Sequence, residues 1–378
     1  MSTQFDCSEL HEMLKRSNSE RMDYFRKKRI AHPTLLAVRD QLCSTIKLRA
    51  GVDLAIVAGP TGVGKSTLIN ILRDQVEGGQ IEYLRADPGC VPVVVVEAPA
   101  PETSLFGWKD FFIRIMEALG EPLIERKVNV ELLGGPTKLN LRHPSLSAAE
   151  LRRLTEKCLR YRKTAVLVVD EAQHMFRMGS GRRLLDCLET LKSFASYGTV
   201  FVVLVGTYDL TNVLELNGQL GRRTALFHFA HYEREGGFRG FLAALKGFQD
   251  RLPVHVPANL LSHGEYLYET SLGLVGVQKN HLERALALAL GSSADTITFD
   301  HLRTSALPAR VRLEIAREIQ LGEEFFKTTA DAEAETRKIL GLEPAINPMP
   351  TDKSVRPKRR VGERNPHRDE VGVGEEAV

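Results

Sequence analysis

Nothing in these 378 residues approaches the ~20 consecutive apolar positions a membrane-spanning helix needs, so no membrane segment is expected. The opening Met1-Ser2-Thr3-Gln4-Phe5-Asp6-Cys7 lacks a basic stretch followed by an apolar core. No signal peptide is therefore expected, and a cytoplasmic location is. Cysteine is sparse and unpatterned: Cys7, Cys43, Cys90, Cys158 and Cys187 include no C-x-x-C pair. That argues against a zinc site and for reduced thiols. Charge of one sign is weak too, since a net +3 is too small to prove nucleic-acid binding. No internal repeat is found. What remains is a hydrophobic fraction of 43%, which suits a soluble globular chain long enough for two domains.

One stretch narrows this sharply. Asp53-Leu54-Ala55-Ile56-Val57-Ala58 has the look of a buried strand, and it feeds Gly59-Pro60-Thr61-Gly62-Val63-Gly64-Lys65-Ser66-Thr67. Leu68-Ile69-Asn70-Ile71-Leu72-Arg73 then reads as a helix. Strand, G-x-x-x-x-G-K-[ST] loop and helix stand in the order a phosphate-binding loop requires. Its glycines let successive backbone N–H groups point at phosphate oxygens, and the helix dipole adds to that field. Lys65 is expected to reach the β- and γ-phosphates of ATP and Ser66 to ligate Mg²⁺.

Along the chain, residues 1–30 are polar and helical in pattern and read as a basic arm, with Arg26-Lys27-Lys28-Arg29 near its end. A nucleotide-binding domain is expected over 31–232, with strands at 92–97, 165–169, 200–205 and 225–229. Helices are expected at 35–48, 106–119, 147–161 and 181–196, the third opening on a Ser147-to-Glu150 capping box. Residues 121–145 read as an excursion. Near-continuous Val, Leu and Ile in strands separated by helices predict a parallel sheet buried on both faces. Residues 233–327 carry helical patterns alone and predict a small α-helical domain. Residues 328–378 read as a flexible tail, disordered from about 343 and rich in Lys and Arg. A second basic cluster spans Arg152 to Lys163, with Arg153, Lys157 and Arg160 on one helical face. Each cluster alone reads as solvated surface before it reads as a phosphate-backbone contact.

Val166-Leu167-Val168-Val169-Asp170-Glu171 is the second anchor: a hydrophobic strand ending in two acids at the edge where the phosphate loop opens. Asp170 is expected to hold Mg²⁺ through water, and Glu171 to orient or deprotonate an attacking water. Alone, Asp-Glu after a strand also describes a helix N-cap. Joined to the phosphate loop, it points to hydrolysis of a nucleoside triphosphate.

With these segments in hand, the chain resembles AAA+ ATPases over roughly residues 25–310, and within them the TniB/TnsC group of transposition regulators. The resemblance is carried by Gly59 to Thr67, by Leu167-Val168-Val169-Asp170-Glu171-Ala172-Gln173-His174, by Leu204-Val205-Gly206-Thr207, and by Gln219-Leu220-Gly221-Arg222-Arg223. It implies an α/β fold: a five-stranded parallel sheet flanked by helices, followed by an α-helical lid. It implies that Thr207 contacts the γ-phosphate or the lytic water, although a strand cap reads the same way. Arg222 and Arg223 take the place of an arginine finger acting on a neighbour's nucleotide; a surface or DNA-facing pair is the alternative. Head-to-tail assembly into a homo-oligomeric ring or helical filament follows.

Gly273-Leu274-Val275-Gly276-Val277-Gln278-Lys279 departs from the wider pattern, where many members place an arginine. Lys279 is the cation expected to reach the nucleotide there, with Arg284 further along, and slow turnover follows. His174 is a candidate to approach the γ-phosphate, whereas Asp87 and Glu97 read as loop chemistry. Filament-forming members of the group hold double-stranded DNA by its backbone, and the candidate contacts here are Lys109, Arg114, Lys127, Lys138 and Arg142, each of which reads equally as solvated surface. The implied partners are a transposase, for which the basic tail suits a tether, and a TniQ-like target-selector protein. Two other classes stay open: an IstB-like or ExeA-like helper or motor ATPase, and a scaffold that ATP merely licenses to assemble.

Overall fold

The computed structural model describes residues 7–100, 106–124, 146–176, 182–197, 200–211, 223–327 and 329–342. Compactness divides the chain into two units, residues 1–326 and 327–378.

In chain order the first unit runs α1 (Cys7–Met13), α2 (Asn18–Lys27), α3 (Pro33–Leu48), β1 (Leu54–Ala58), α4 (Lys65–Gly79) and α5 (Ile81–Ala86). It continues with β2 (Val93–Glu97), α6 (Trp108–Ala118), α7 (Ala148–Tyr161), β3 (Val166–Asp170), α8 (Arg182–Tyr197), β4 (Phe201–Gly206) and β5 (Thr224–His228). Helices α9 (Arg234–Gln249), α10 (Gly264–Ser271), α11 (Val275–Gly291), α12 (Phe299–Ser305) and α13 (Ala309–Lys327) follow. In the second unit the described element is α14 (Thr329–Ile339). Among the described residues, no helix is long and apolar enough to cross a membrane.

The five strands pair in parallel in the order β2-β3-β4-β1-β5. Alternation along each strand sends its side chains to two covered faces. Leu54, Ile56, Val94, Val96, Leu167, Val169, Val202 and Leu204 share one core with Phe111 and Ile115 of α6, Leu159 of α7 and Phe194 of α8. Ala55, Val57, Val166, Val168, Val203 and Val205 share the other with Leu35 and Leu42 of α3 and Leu68 and Leu72 of α4. Burial on both faces is why β1 and β4 are apolar at nearly every position. Parallel register brings every strand's carboxyl end to one edge: Ala58 lies opposite Gly206 and His228, and Glu97 opposite Asp170. A third core joins Phe241 and Phe248 of α9, Leu267 of α10, Leu282 and Leu286 of α11 and Leu302 of α12.

Local signals explain the ends. Ser147 Oγ accepts from Glu150 N at 3.3 Å while Ser147 N donates to Glu150 Oε2 at 2.7 Å, so the capping box opens α7. The segment read as an arm is packed in part: Phe25 is fully buried in the helical core, and Arg21 donates to Pro253 O at 2.9 Å. Helices α5 and α14 have no counterpart in the sequence reading, α5 being six residues long and α14 lying within the stretch read as tail.

One buried histidine ties α3 to the helical region. His32 is 2% exposed, Nδ1 lies 2.9 Å from the Tyr232 hydroxyl, and burial holds its pKa down at about 4. Unfolded, the imidazole takes up a proton near pH ~6.5. Between these values the unfolded chain binds more protons, so stability falls as pH drops through that window, by up to about 3 kcal/mol. Chemical denaturation should give a shallower loss between pH ~6.5 and ~4 for His32→Phe than for the parent chain. Equal slopes would contradict this account.

Candidate functional site

The phosphate loop joins β1 to α4 and curls through two left-handed glycines, Gly62 (φ 82°) and Gly64 (φ 120°). From its carboxyl side the loop is backed by the start of α11, where Gly276 N donates to Gly62 O at 2.7 Å. Lys65 is 8% exposed, and its ammonium donates to Gly59 O and Pro60 O at 3.0 Å each. Burial lowers its pKa, against the opposing pull of Glu171, Asp170 and Glu318. Ser66 is exposed at the first turn of α4.

Across the edge, Asp170 closes β3, and its Oδ1 accepts from Glu171 N at 2.9 Å. Burial raises the Asp170 pKa, and the neighbouring charges of Glu171 and Glu97 push the same way. Glu171 holds a left-handed backbone (φ 49°, ψ 35°), a conformation uncommon outside glycine that turns the chain sharply off the strand. Gln173 then reaches back. Its Nε2 donates to Glu171 Oε2 at 2.5 Å, and its Oε1 accepts from Thr207 N at 3.2 Å. Gly206 makes that bridge possible, because a Cβ there would lie 2.2 Å from Gln173 Oε1. Thr207 follows β4, the strand between β1 and β3, and its buried Oγ1 has no partner among the described residues.

Lys65, Asp170, Glu171 and Thr207 therefore meet at one sheet edge. A chain of amides and a lysine facing two carboxylates and an unsatisfied hydroxyl matches what a polyphosphate with a divalent cation would use. Ser66 and Asp170 are the residues that would hold such a cation.

None of the other described candidates has a side-chain bond to Lys65, Asp170, Glu171 or Thr207. Arg223 stands at the opposite edge: its carbonyl accepts from Asp53 N and Leu54 N, and its guanidinium, 67% exposed, is 3.7 Å from Asp53 Oδ2. Strand β1 separates it from the phosphate loop by about 13 Å. Lys279 is directed to α2, its ammonium donating to Arg26 O at 2.6 Å and lying 3.4 Å from Glu283. Arg284 donates to Ser305 O at 2.8 Å. His174 Nδ1 lies 3.2 Å from Ala98 O, at the end of β2. Lys109 and Arg114 are exposed on α6, with Arg114 bound to Asp110 at 2.9 Å. Arg222, Lys127, Lys138 and Arg142 lie outside the described residues.

Sequence reasoning assigned no role to Gln173 or Gly206, although both sit in the motifs it quoted. The pairing was legible only as a glycine next to Thr207 and an amide two residues past Glu171.

Residues 49–214 match the family model of an AAA domain. No curated protein matches the chain. Among solved structures, the chain is similar to the ADP form of the Aeropyrum pernix ORC2 protein, at 18% identity over 75% of this chain and 71% of that one, with a TM-score of 0.52. The same protein in ADPNP–ADP complexes gives 17% identity over 77% and 73%, again with a TM-score of 0.52. Both are likenesses of fold. Sheet order, phosphate loop and the AAA domain match together give this chain the AAA+ P-loop NTPase fold.

Proposed function

We propose that the protein is an ATPase switch that binds ATP with Mg²⁺, assembles head to tail, and disassembles after hydrolysis. The observation that carries this reading is the meeting of Lys65, Asp170, Glu171 and Thr207 at one sheet edge. Loop amides and Lys65 hold the phosphates. Mg²⁺, when bound, neutralises charge on the phosphate oxygens. Glu171 orients the attacking water and takes its proton. Gln173 fixes the Glu171 carboxylate relative to Thr207, so both groups are set from one buried amide.

Arg223 is exposed and stands at the edge away from its own phosphate loop, which suits a cation delivered to a neighbour's site, with Arg222 beside it in sequence. Such a finger contributes ~10³–10⁵ in rate, and head-to-tail delivery yields rings or filaments. The D-E-A-Q-H, V-G-T and Q-L-G-R-R forms favour a transposition regulator that coats target DNA and links a target selector to a transposase. Duplex contact through Lys109, Arg114, Lys127, Lys138 and Arg142 belongs to that reading. The likeness to an ORC2 fold is compatible with a second one, an AAA+ helper or motor ATPase for replication loading.

Three results test these roles. Lys65→Ala should abolish nucleotide binding and assembly, whereas Glu171→Gln should assemble with ATP and lose turnover at least ~100-fold. Normal hydrolysis by Glu171→Gln would remove Glu171 from its role. Arg223→Ala should be slow alone and regain activity when mixed with Lys65→Ala subunits; no recovery would contradict completion by a neighbour. Gln173→Ala and Gly206→Ala should each lower kcat about tenfold or more with KM nearly unchanged, and the double variant should be no worse. Additive losses would mean that the two residues act separately.

A further inference from the structure

Helix α13 crosses the carboxyl edge of the sheet and has no part in the roles above. Ile319, Gly322, Glu323 and Phe326 recur at helical spacing and form the face it turns to the core. Ile319 is buried in the core that holds Val63 of the phosphate loop, Leu68 and Val277. Phe326 packs against the core on the other face of the sheet. Glu323 Oε1 and His231 Nδ1 are 2.6 Å apart, both side chains well buried. The helix is thus seated on residues that follow β4 and end or follow β5.

These contacts converge on the side chain that comes directly after Thr207. Tyr208 is buried, and its hydroxyl lies 3.0 Å from His228 Nε2. Phe326 stacks on His228 at 3.9 Å with planes 5° apart and meets the Tyr208 ring at 6.1 Å, so three rings close on one another. Gly322 lies against the same ring: a Cβ there would overlap it, so only glycine admits this approach. The Tyr208 carbonyl accepts from Thr211 N at 2.9 Å and from Thr211 Oγ1 at 2.8 Å. Ring, hydroxyl and carbonyl of Tyr208 are each held. Thr207 is fixed through its backbone, where N donates to Gln173 Oε1 at 3.2 Å and O accepts from Leu210 N at 3.1 Å.

We propose that Tyr208 is a positioning residue for ATP hydrolysis: it sets the Thr207 hydroxyl at the reacting phosphate and is itself clamped by α13. The inference rests on the ATPase reading above. Thr207 and Tyr208 share one planar peptide unit, so a displaced Tyr208 carries Thr207 with it. Ala58, which runs into the phosphate loop, lies opposite both Gly206 and His228. The Tyr208–His228 contact therefore spans β1 and keeps Thr207 in register with the loop. Gln173 holds Thr207 from the side of β3, and Tyr208 holds it from the side of β5. Misplacing a reacting group by about 1 Å can slow a step about 100-fold, which is why such a clamp matters for turnover.

The test is steady-state ATP hydrolysis by the full chain, with kcat and KM measured separately. Tyr208→Phe keeps the ring and loses the hydroxyl, and should lower kcat about three- to tenfold with KM nearly unchanged. Gly322→Ala pushes on the ring and should lower kcat about tenfold or more. Neither change should lower kcat further in a Thr207→Ala background, whereas both should still act in Thr207→Ser, which keeps the hydroxyl. Arg317→Gln, an exposed position of α13 paired with Glu314, should leave both constants unchanged. Undiminished losses on top of Thr207→Ala would overturn the inference, because Tyr208 would then act without Thr207. Parent-like kcat in both Tyr208→Phe and Gly322→Ala would overturn it too. Parent-like hydrolysis by Thr207→Ala is a different outcome: it would remove Thr207 from the site reading, and this inference with it.

Discussion

Lys65 carries its charge where water is nearly excluded, where the loop after the interior strand β1 enters α4, and its surroundings are arranged around that one ammonium. Burial works against the charge; Glu171, Asp170 and Glu318 work for it. Those carboxylates come from two separate parts of the chain, the end of β3 and helix α13. Asp170 has the complementary problem, a carboxylate half out of water beside other acids. A buried cation facing more than one acid suits a ligand that brings both phosphate and metal charge, because either alone leaves the site unbalanced.

Parallel register turns this local balance into a site. Since all five strands run the same way, residues far apart in sequence (Lys65 past β1, Asp170 at β3, Thr207 past β4) arrive together. The same register sends Arg223, at the start of β5, to the far edge. Within one chain the two edges are separated by the length of a strand. In the proposed assembly, a head-to-tail neighbour would bring an arginine of one copy to the phosphates of another and would couple assembly to nucleotide state.

Much of this was readable from residue order. The phosphate loop declared itself by glycine spacing, and the buried strands by unbroken Val and Leu runs such as 166–169 and 202–205. Ser147 and Glu150 marked the start of α7 to the residue. What stayed hidden depends on contacts between segments that no local pattern encodes. Gln173 meets Thr207 across 34 positions, and Gly206 matters only because that amide passes over it. Lys279 occupied a plausible place in sequence, yet its ammonium is taken up by Arg26 O and Glu283. Phe25 sat in a polar stretch that gave no hint of a buried face.

The most direct measurement of the central claim is specific ATPase activity against protein concentration, with particle mass followed by light scattering in the same samples. A site finished by a neighbour's arginine predicts that turnover per chain rises with concentration and tracks the appearance of assemblies. Turnover per chain that is already maximal in samples containing monomers alone would contradict it.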